Sequence, residues 1–154
     1  MDDRTAPPIV GVIEQVAAQA PDRPALIHDG GAVGYGRLMA EVRGLAAQFA
    51  RAGLQPRDAV GVALAEERAA IPVSLALLRL GCRQVALPPR DPGPVREDLA
   101  TRLSLVAVVG MSPSDAVGRA AIVVPDLDAA AREGEGPAAP PSLTGDVVVG
   151  TSGT

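Results

Sequence analysis

Apolar residues recur at helical spacing in four segments of the chain, and each segment predicts an α-helix. The segments are residues 9–16, 37–52, 71–80 and 95–103. In the second segment the apolar positions form one face, polar residues such as Glu41 fall mostly elsewhere, and Gly53 ends the helix in a left-handed conformation. The third segment is apolar almost all round, which is typical of a buried helix and places Pro72 in its first turn.

Short apolar runs between these helices predict β-strands. They cover residues 25–28, 32–35, 59–64, 83–87, 105–109, 120–124 and 147–149. The first two flank the turn sequence D-G-G and predict a hairpin, while the nearly continuous run at 59–64 is typical of a sheet covered on both faces. Strands that alternate with helices in this way predict an α/β fold, with a mostly parallel sheet and helices on both faces.

The chain divides into four parts on this reading. Residues 1–24 are a peripheral helix and its lead-in, and residues 25–131 form the βαβ core. Residues 132–143, rich in Gly, Pro and Ala, are expected to be a flexible connector. Residues 144–154 then supply a strand and the start of a loop.

That final loop has the sequence G-T-S-G-T at residues 150–154. Its glycines allow backbone N–H groups to approach a phosphate closely, and its hydroxyls are rotatable donors. Thr151, Ser152, Gly153 and Thr154 are therefore candidates for phosphate binding, because they would lie beyond the carboxyl end of a parallel strand. The lysine-containing loop G-x-x-x-x-G-K-[ST] does not fit, because Thr151 stands at the lysine position. Taken alone, T-S-G-T is more typical of an ordinary polar turn than of a phosphate site.

Composition and charge exclude several classes of protein. All fourteen basic residues are arginine. Tyr35 and Phe49 are the only aromatic residues, and this scarcity argues against binding of single-stranded nucleic acid. The net charge of −4 argues against binding to duplex DNA or to an anionic membrane surface. No apolar run is long enough to span a bilayer and no signal peptide is visible, so we expect a cytoplasmic location. Cys82 is expected to be buried and His28 to be a solvated turn residue, and we assign no catalytic or metal-binding residue.

Four segments, in this order, resemble the amino-terminal part of the adenylate-forming (AMP-binding) superfamily, which includes acyl-CoA synthetases, peptide-synthetase adenylation domains and luciferases. They are P-D-R-P-A-L at 21–26 with Y-G-R-L at 35–38, G-L-Q-P-R-D-A-V-G-V at 53–62, L-R-L-G-C at 78–82 leading to V-A-L-P at 85–88, and G-T-S-G-T at 150–154. The last is similar to the start of the family's T-S-G-T-T-G-x-P-K-G, and this resemblance implies that Thr151, Ser152, Gly153 and Thr154 bind the phosphates of ATP. Arg57 stands where the family usually has glycine.

The resemblance implies that the chain is an N-terminal fragment of an AMP-forming acid ligase, cut within its phosphate loop. The whole enzyme would bind ATP with Mg²⁺, convert a small-molecule carboxylic acid to its acyl-adenylate, and pass the acyl group to a thiol of CoA or of a carrier protein's phosphopantetheine. The family's loop lysine and its downstream groups lie beyond residue 154, so we expect the 154-residue chain alone to be inactive. The acid, the acceptor and the oligomeric state stay open.

Two other functions fit the same elements. One is a non-catalytic α/β module that binds a partner protein, although such a module would end in an open loop beside an unprotected sheet edge. The other is a flavodoxin-like nucleotide or phosphate binder, which fits the βαβ pattern but does not explain the ordered family-like segments.

Overall fold

The structure, a computed structural model, describes residues 9–124 and 126–135, together with the backbone of Val147–Val148. The helices in these residues are α1 (Ile9–Gln19), α2 (Tyr35–Arg51), α3 (Glu67–Arg79), α4 (Gly93–Arg102) and α5 (Leu127–Gly134). The strands are β1 (Pro24–His28), β2 (Gly31–Gly34), β3 (Ala59–Ala63), β4 (Arg83–Ala86), β5 (Ala107–Gly110), β6 (Ala120–Val123) and β7 (Val147–Val148). A short 3-10 helix, Pro113–Ala116, follows β5.

The last five strands form one parallel sheet in the order β6-β5-β3-β4-β7, and β1 and β2 form a separate antiparallel hairpin. In the sheet, Val60 of β3 is paired with Gln84 of β4 on one side and Ala107 of β5 on the other. Since every pairing in this sheet is parallel, all its strands end at the same side, which we call the carboxyl edge. The strands end there at Ala63, Ala86, Gly110, Val123 and Val148.

Helices cover both faces of the sheet, as predicted. Val60 packs into a core with α1, α2 and α3, whereas Ala63, three positions further along β3, packs into a second core beneath α4. The central strand alternates between the two cores because successive strand residues point to opposite faces. These observations confirm the predicted α/β fold class.

Two helices show features that the sequence pattern did not indicate. In α4 the charged Arg96 is buried, with 7% of its surface exposed, while the neighbouring Val95 is 56% exposed. The inward position of Arg96 follows from the hydrogen bond that its guanidinium donates to the backbone carbonyl of Asp115, at 2.7 Å. Helix α3 begins at Glu67, so Pro72 lies in its second turn and not in the first turn as expected.

Helix α5 was not among the predicted elements, and Arg132 to Gly134, placed in the connector by the sequence analysis, form its last turn. It packs against α2 with backbone touching backbone. A Cβ added at Gly44 of α2 would overlap the carbonyl oxygen of Ala130, and one added at Gly134 would overlap that of Ala40. The Arg43 side chain also donates to the Gly134 carbonyl at 2.8 Å. Small residues are therefore required at this crossing.

The crossing predicts the effect of one methyl group. Gly44→Ala should lower the free energy of unfolding by about 2–3 kcal/mol, because the two helix backbones must move apart to admit the Cβ. The matched control is Gly93→Ala in the first turn of α4, where an added Cβ meets no atom within 4 Å. Urea denaturation should show a change of less than about 1 kcal/mol for the control. An equal effect of the two substitutions would contradict the close approach.

Arg57 generates a second prediction, because its exposed side chain stands on a backbone with φ of 73°, in the left-handed region. Its N–H donates to the Gly81 carbonyl at 2.8 Å, which holds the turn before β3 in place. Arg57→Gly should raise the free energy of unfolding by about 0.5–1 kcal/mol, because glycine adopts this conformation without steric cost. Arg57→Ala removes the same side chain but keeps the Cβ, so its stability should stay near that of the unmodified chain. Equal denaturation midpoints for the two variants would show that φ is not the cause.

Candidate functional site

The carboxyl edge contains a topological switch point between β3 and β5. From β3 the chain moves to β4 on one side, and from β4 it returns past β3 to β5 on the other. Helix α3, which follows β3, packs on one face of the sheet, whereas the 3-10 helix that follows β5 packs through Ala116 into the core on the other face, so the loops after β3 and β5 diverge. In open α/β sheets ligands bind in the crevice that such a divergence leaves.

Two adjoining cavities lie at this edge, and Pro89 lines both. The first, which we call the switch-point crevice, has a volume of about 190 Å³, and its lining includes the acidic residues Glu66 and Asp115. The second, which we call the β3–β4 cavity, has a volume of about 270 Å³. Its lining is apolar except for Arg90, and comprises Val62, Leu64, Ala65, Ala86, Pro88 and Pro89 in addition. The edge thus has an acidic part and a basic part.

One of the two carboxylates already accepts hydrogen bonds from the protein backbone. Asp115 accepts hydrogen bonds from the backbone N–H groups of Met111 and Ser112 at 3.1 and 3.0 Å, and so caps the 3-10 helix after β5. Glu66 stands at the N-cap of α3 but makes no side-chain cap hydrogen bond. The described residues contain no group of three or more His, Cys, Asp or Glu that could hold a metal ion.

Two of the arginines near the edge are also held by protein groups. Arg68, in the first turn of α3, donates to both carboxylate oxygens of Glu41, at 2.9 and 2.5 Å. Arg96 donates to the Asp115 carbonyl, and its Nε has no hydrogen-bond partner among the described residues. Arg90 is exposed, and no hydrogen bond or ion pair joins its side chain to another described residue.

Glu41 is a buried carboxylate that the sequence analysis did not place in the core. It is 0% exposed, and Arg37 donates to it from Nε at 3.0 Å in addition to the two hydrogen bonds from Arg68. Arg37 also forms an ion pair with Asp128 of α5. The hydrogen bond to Glu41 is the main cause that raises the pKa of the Arg37 guanidinium above its ordinary value. The helical pattern alone gave no signal for this cluster, because it assigns each position by residue type.

The four predicted phosphate-binding residues, Thr151, Ser152, Gly153 and Thr154, lie outside the described residues, so that site stays a prediction. The strand before them is described. β7 pairs in parallel with β4, with Gln84 opposite Val147 and Val85 opposite Val148, and it ends at the carboxyl edge.

His28 and Cys82 occupy the environments predicted for them. His28 is exposed at the hairpin turn, where its Nδ1 accepts a hydrogen bond from the Gly30 N–H at 3.1 Å. Cys82 is fully buried, and its thiol donates to the Gln55 carbonyl at 3.4 Å. Burial, with the nearby charge of Asp58, raises the pKa of the Cys82 thiol to about 11. The thiol is therefore protonated near neutral pH, which does not favour a nucleophilic role.

Comparison with solved structures shows which fold this sheet belongs to. The N-terminal subdomain of NpsA from Klebsiella oxytoca aligns with a TM-score of 0.80 and 18% identity, over 96% of this chain and 39% of that chain. An artificially fused adenylation–PCP di-domain, NpsA-ThdA from the same organism, gives 0.80 and 17%, over 94% and 28%. O-succinylbenzoate coenzyme A synthetase (MenE) from Bacillus subtilis, in complex with AMP, gives 0.69 and 19%, over 82% and 33%. The fold is that of the N-terminal subdomain of adenylation domains.

Sequence comparison agrees with the fold. Malpibaldin synthetase of Mortierella alpina is 32% identical over 91 residues, which are 59% of this chain and 2% of that protein. The chain thus spans a small part of each relative. None of the described helices is long and apolar enough to cross a membrane. A family model described as "AMP-binding enzyme" matches residues 13–148. The chain therefore belongs to the AMP-binding enzyme family.

Proposed function

We propose that this chain is the amino-terminal part of an ATP-dependent, AMP-forming acid ligase. The family match over residues 13–148 carries the proposal. It is supported by the parallel pairing of β7 with β4, which brings the chain to the carboxyl edge immediately before the hydroxyl-rich residues 150–154. We propose the domain division on the same basis, with residues 25–131 as the core and residues 144–154 as the strand and loop that follow it.

In the proposed reaction, a carboxylate oxygen of the acid attacks the α-phosphorus of ATP. A bond forms between that oxygen and phosphorus, the bond from the α-phosphorus to the oxygen bridging to the β-phosphate breaks, and pyrophosphate leaves. Thr151, Ser152, Gly153 and Thr154 would donate hydrogen bonds to the β- and γ-phosphates. Donors fixed in advance at the leaving group stabilise the charge that develops there, and this is the catalytic contribution we assign to the loop.

The second half of the proposed reaction transfers the acyl group to a thiol. Two relatives suggest the acceptor: NpsA-ThdA is an adenylation–PCP di-domain, and MenE is a coenzyme A synthetase. The acceptor we propose is accordingly CoA or the phosphopantetheine of a carrier protein. The thiolate attacks the acyl carbonyl carbon, a thioester forms, and AMP leaves with the bonding electrons.

Mg²⁺ is expected with the ATP phosphates in the whole protein. In proteins it is commonly bound by one or two carboxylates together with substrate phosphates and waters. The carboxylate of Asp115 caps the 3-10 helix. The described residues include no group of three or more His, Cys, Asp or Glu that could hold a metal ion. We therefore assign no Mg²⁺ ligand within them.

Acid-dependent exchange of radioactive pyrophosphate into ATP tests the proposal. The whole protein that carries this segment should catalyse exchange with at least one member of a panel of fatty, aromatic and amino acids, and should show none without acid. The 154-residue chain alone should show no exchange with any of them. Whole protein that is inactive with every class of acid would contradict the ligase assignment, and activity of the isolated chain would contradict its assignment as an incomplete site.

The role of the loop is tested by removing one hydroxyl. Thr151→Val in the whole protein keeps the shape of the side chain but removes a donor, so the KM for ATP should rise about tenfold, in line with one lost hydrogen bond to a charged group. Thr144→Val, which makes the same change before the predicted strand, is the matched control and should leave the KM unchanged. Equal KM values for the two variants would overturn the assignment of Thr151.

A further inference from the structure

Strand β6 is an edge of the sheet that lacks the usual protections of an edge. In the described part of the chain it pairs with β5 on one side and with no strand on the other. Unpaired N–H and C=O groups at an edge can bind another strand, and natural proteins guard them with charges, prolines, bulges or shortened strands. β6 has the sequence A-A-I-V in an unbroken register, and it is as long as the interior strands β4 and β5.

The side chains along this border of the sheet are apolar and exposed. Ala120 and Ala121 are exposed, and Val123 keeps 45% of its surface accessible. Val106 and Met111, which precede and follow the neighbouring β5, are exposed as well. Apolar side chains that are exposed together mark a surface for interaction with another protein.

The pairing with β5 fixes which backbone groups of β6 face outward. The Val124 N–H donates to the Gly110 carbonyl of β5 at 2.9 Å. Because successive N–H groups along a strand point to opposite sides, those of Ala120 and Ile122 also face β5. The N–H and C=O groups of Ala121 and Val123 face away from β5 and are available to a further strand.

A second copy of the chain has the matching edge. A two-fold axis perpendicular to the sheet relates two β6 strands that run antiparallel, and such a pair bonds where residues point their backbone groups at each other. For β6 this places Ala121 of each copy opposite Val123 of the other, with Ile122 opposite its own counterpart at the axis. Every outward N–H group then has a carbonyl acceptor.

The charges at the two ends of β6 favour the same arrangement. Arg119 precedes the strand and Asp126 follows it, and neither forms an ion pair within the described residues. In the antiparallel pair the start of one β6 lies beside the end of the other, so Arg119 of one copy comes near Asp126 of the second. Parallel strands would instead bring like charges together.

We propose that β6 is an interface between two copies of this protein, which joins their sheets into one continuous sheet about a two-fold axis at Ile122. This inference goes beyond the proposed function and does not depend on it. The edge fits a second copy because that one partner satisfies the outward hydrogen bonds, covers apolar side chains with apolar side chains and brings opposite charges together.

Sedimentation equilibrium of the whole protein tests the proposal. The wild type should have twice the mass of one chain at about 100 μM, because a small interface of this kind is expected to have a Kd in the micromolar range. Val123→Lys places a charge on the edge and should leave single chains at the same concentration. Val95→Lys, the same change at an exposed valine of α4, is the matched control and should stay dimeric.

Two further variants test the register of the interface. Ala121→Pro removes an outward N–H but no bond to β5, so it should give single chains with an unchanged circular dichroism spectrum. Ile122→Cys should form an intermolecular disulfide under mild oxidation, because directly opposed residues at this kind of position have Cα atoms about 4.5 Å apart. The buried Cys82 is inaccessible to this reaction, and Val95→Cys should not cross-link.

Two results would overturn the proposal. One is a wild-type protein that is monomeric at the highest concentration, whether another segment of the protein covers β6 or none does. The other is a dimer that persists in both Val123→Lys and Ala121→Pro and that Ile122→Cys does not cross-link, since two copies would then meet at a different surface.

Discussion

The buried carboxylate of Glu41 is the interaction on which the helical layer over one sheet face depends. It joins α2 to α3 through Arg68 and reaches α5 through Arg37 and Asp128. Removal of one partner from a buried ion pair typically costs about 3–5 kcal/mol, because the other charge is left without compensation. Arg37 and Arg68 keep 41% and 25% of their side-chain surfaces exposed, so water reduces that cost here. The Glu41 carboxylate has no access to water, so Arg37 and Arg68 must lie where their guanidinium groups reach it.

This constraint extends to the candidate site, because Arg68 lies in the first turn of α3, directly after the carboxyl end of β3. Its bidentate contact with Glu41 fixes the start of α3 and hence the loop that forms one wall of both cavities. The same contact makes the Arg68 guanidinium unavailable to a ligand. Arg96 likewise serves the fold, because its contact with the Asp115 carbonyl holds α4 against the loop after β5.

The sequence predicted those parts of the fold in which the pattern is long or repeated. Helix α2, with its apolar face, and the central strand β3 were both expected, as was the parallel sheet that their alternation implies. Helix α5 was missed because it has only eight residues, and its buried positions are the small residues Ala130, Ala131 and Gly134. The helix at 95–103 was expected, but the burial of Arg96 could not be read from its pattern, because it depends on the Asp115 carbonyl that the guanidinium reaches. At Arg57 the resemblance carried physical information: the usual glycine of the family matches the positive φ that this turn requires.

Charge is distributed unevenly along the carboxyl edge, and this bears on where the nucleotide of the proposed function would bind. The switch-point crevice contains Glu66 and Asp115, and their carboxylates repel a triphosphate. The β3–β4 cavity, which adjoins it at Pro89, contains Arg90 and no acidic residue in its lining. β7 pairs with β4, so the proposed loop begins on the basic side. General rules for α/β sheets favour a ligand in the switch-point crevice, whereas the charges favour an anionic ligand in the neighbouring β3–β4 cavity. For the nucleotide that we propose, which has three or four negative charges, the electrostatic difference favours the β3–β4 cavity over the switch-point crevice.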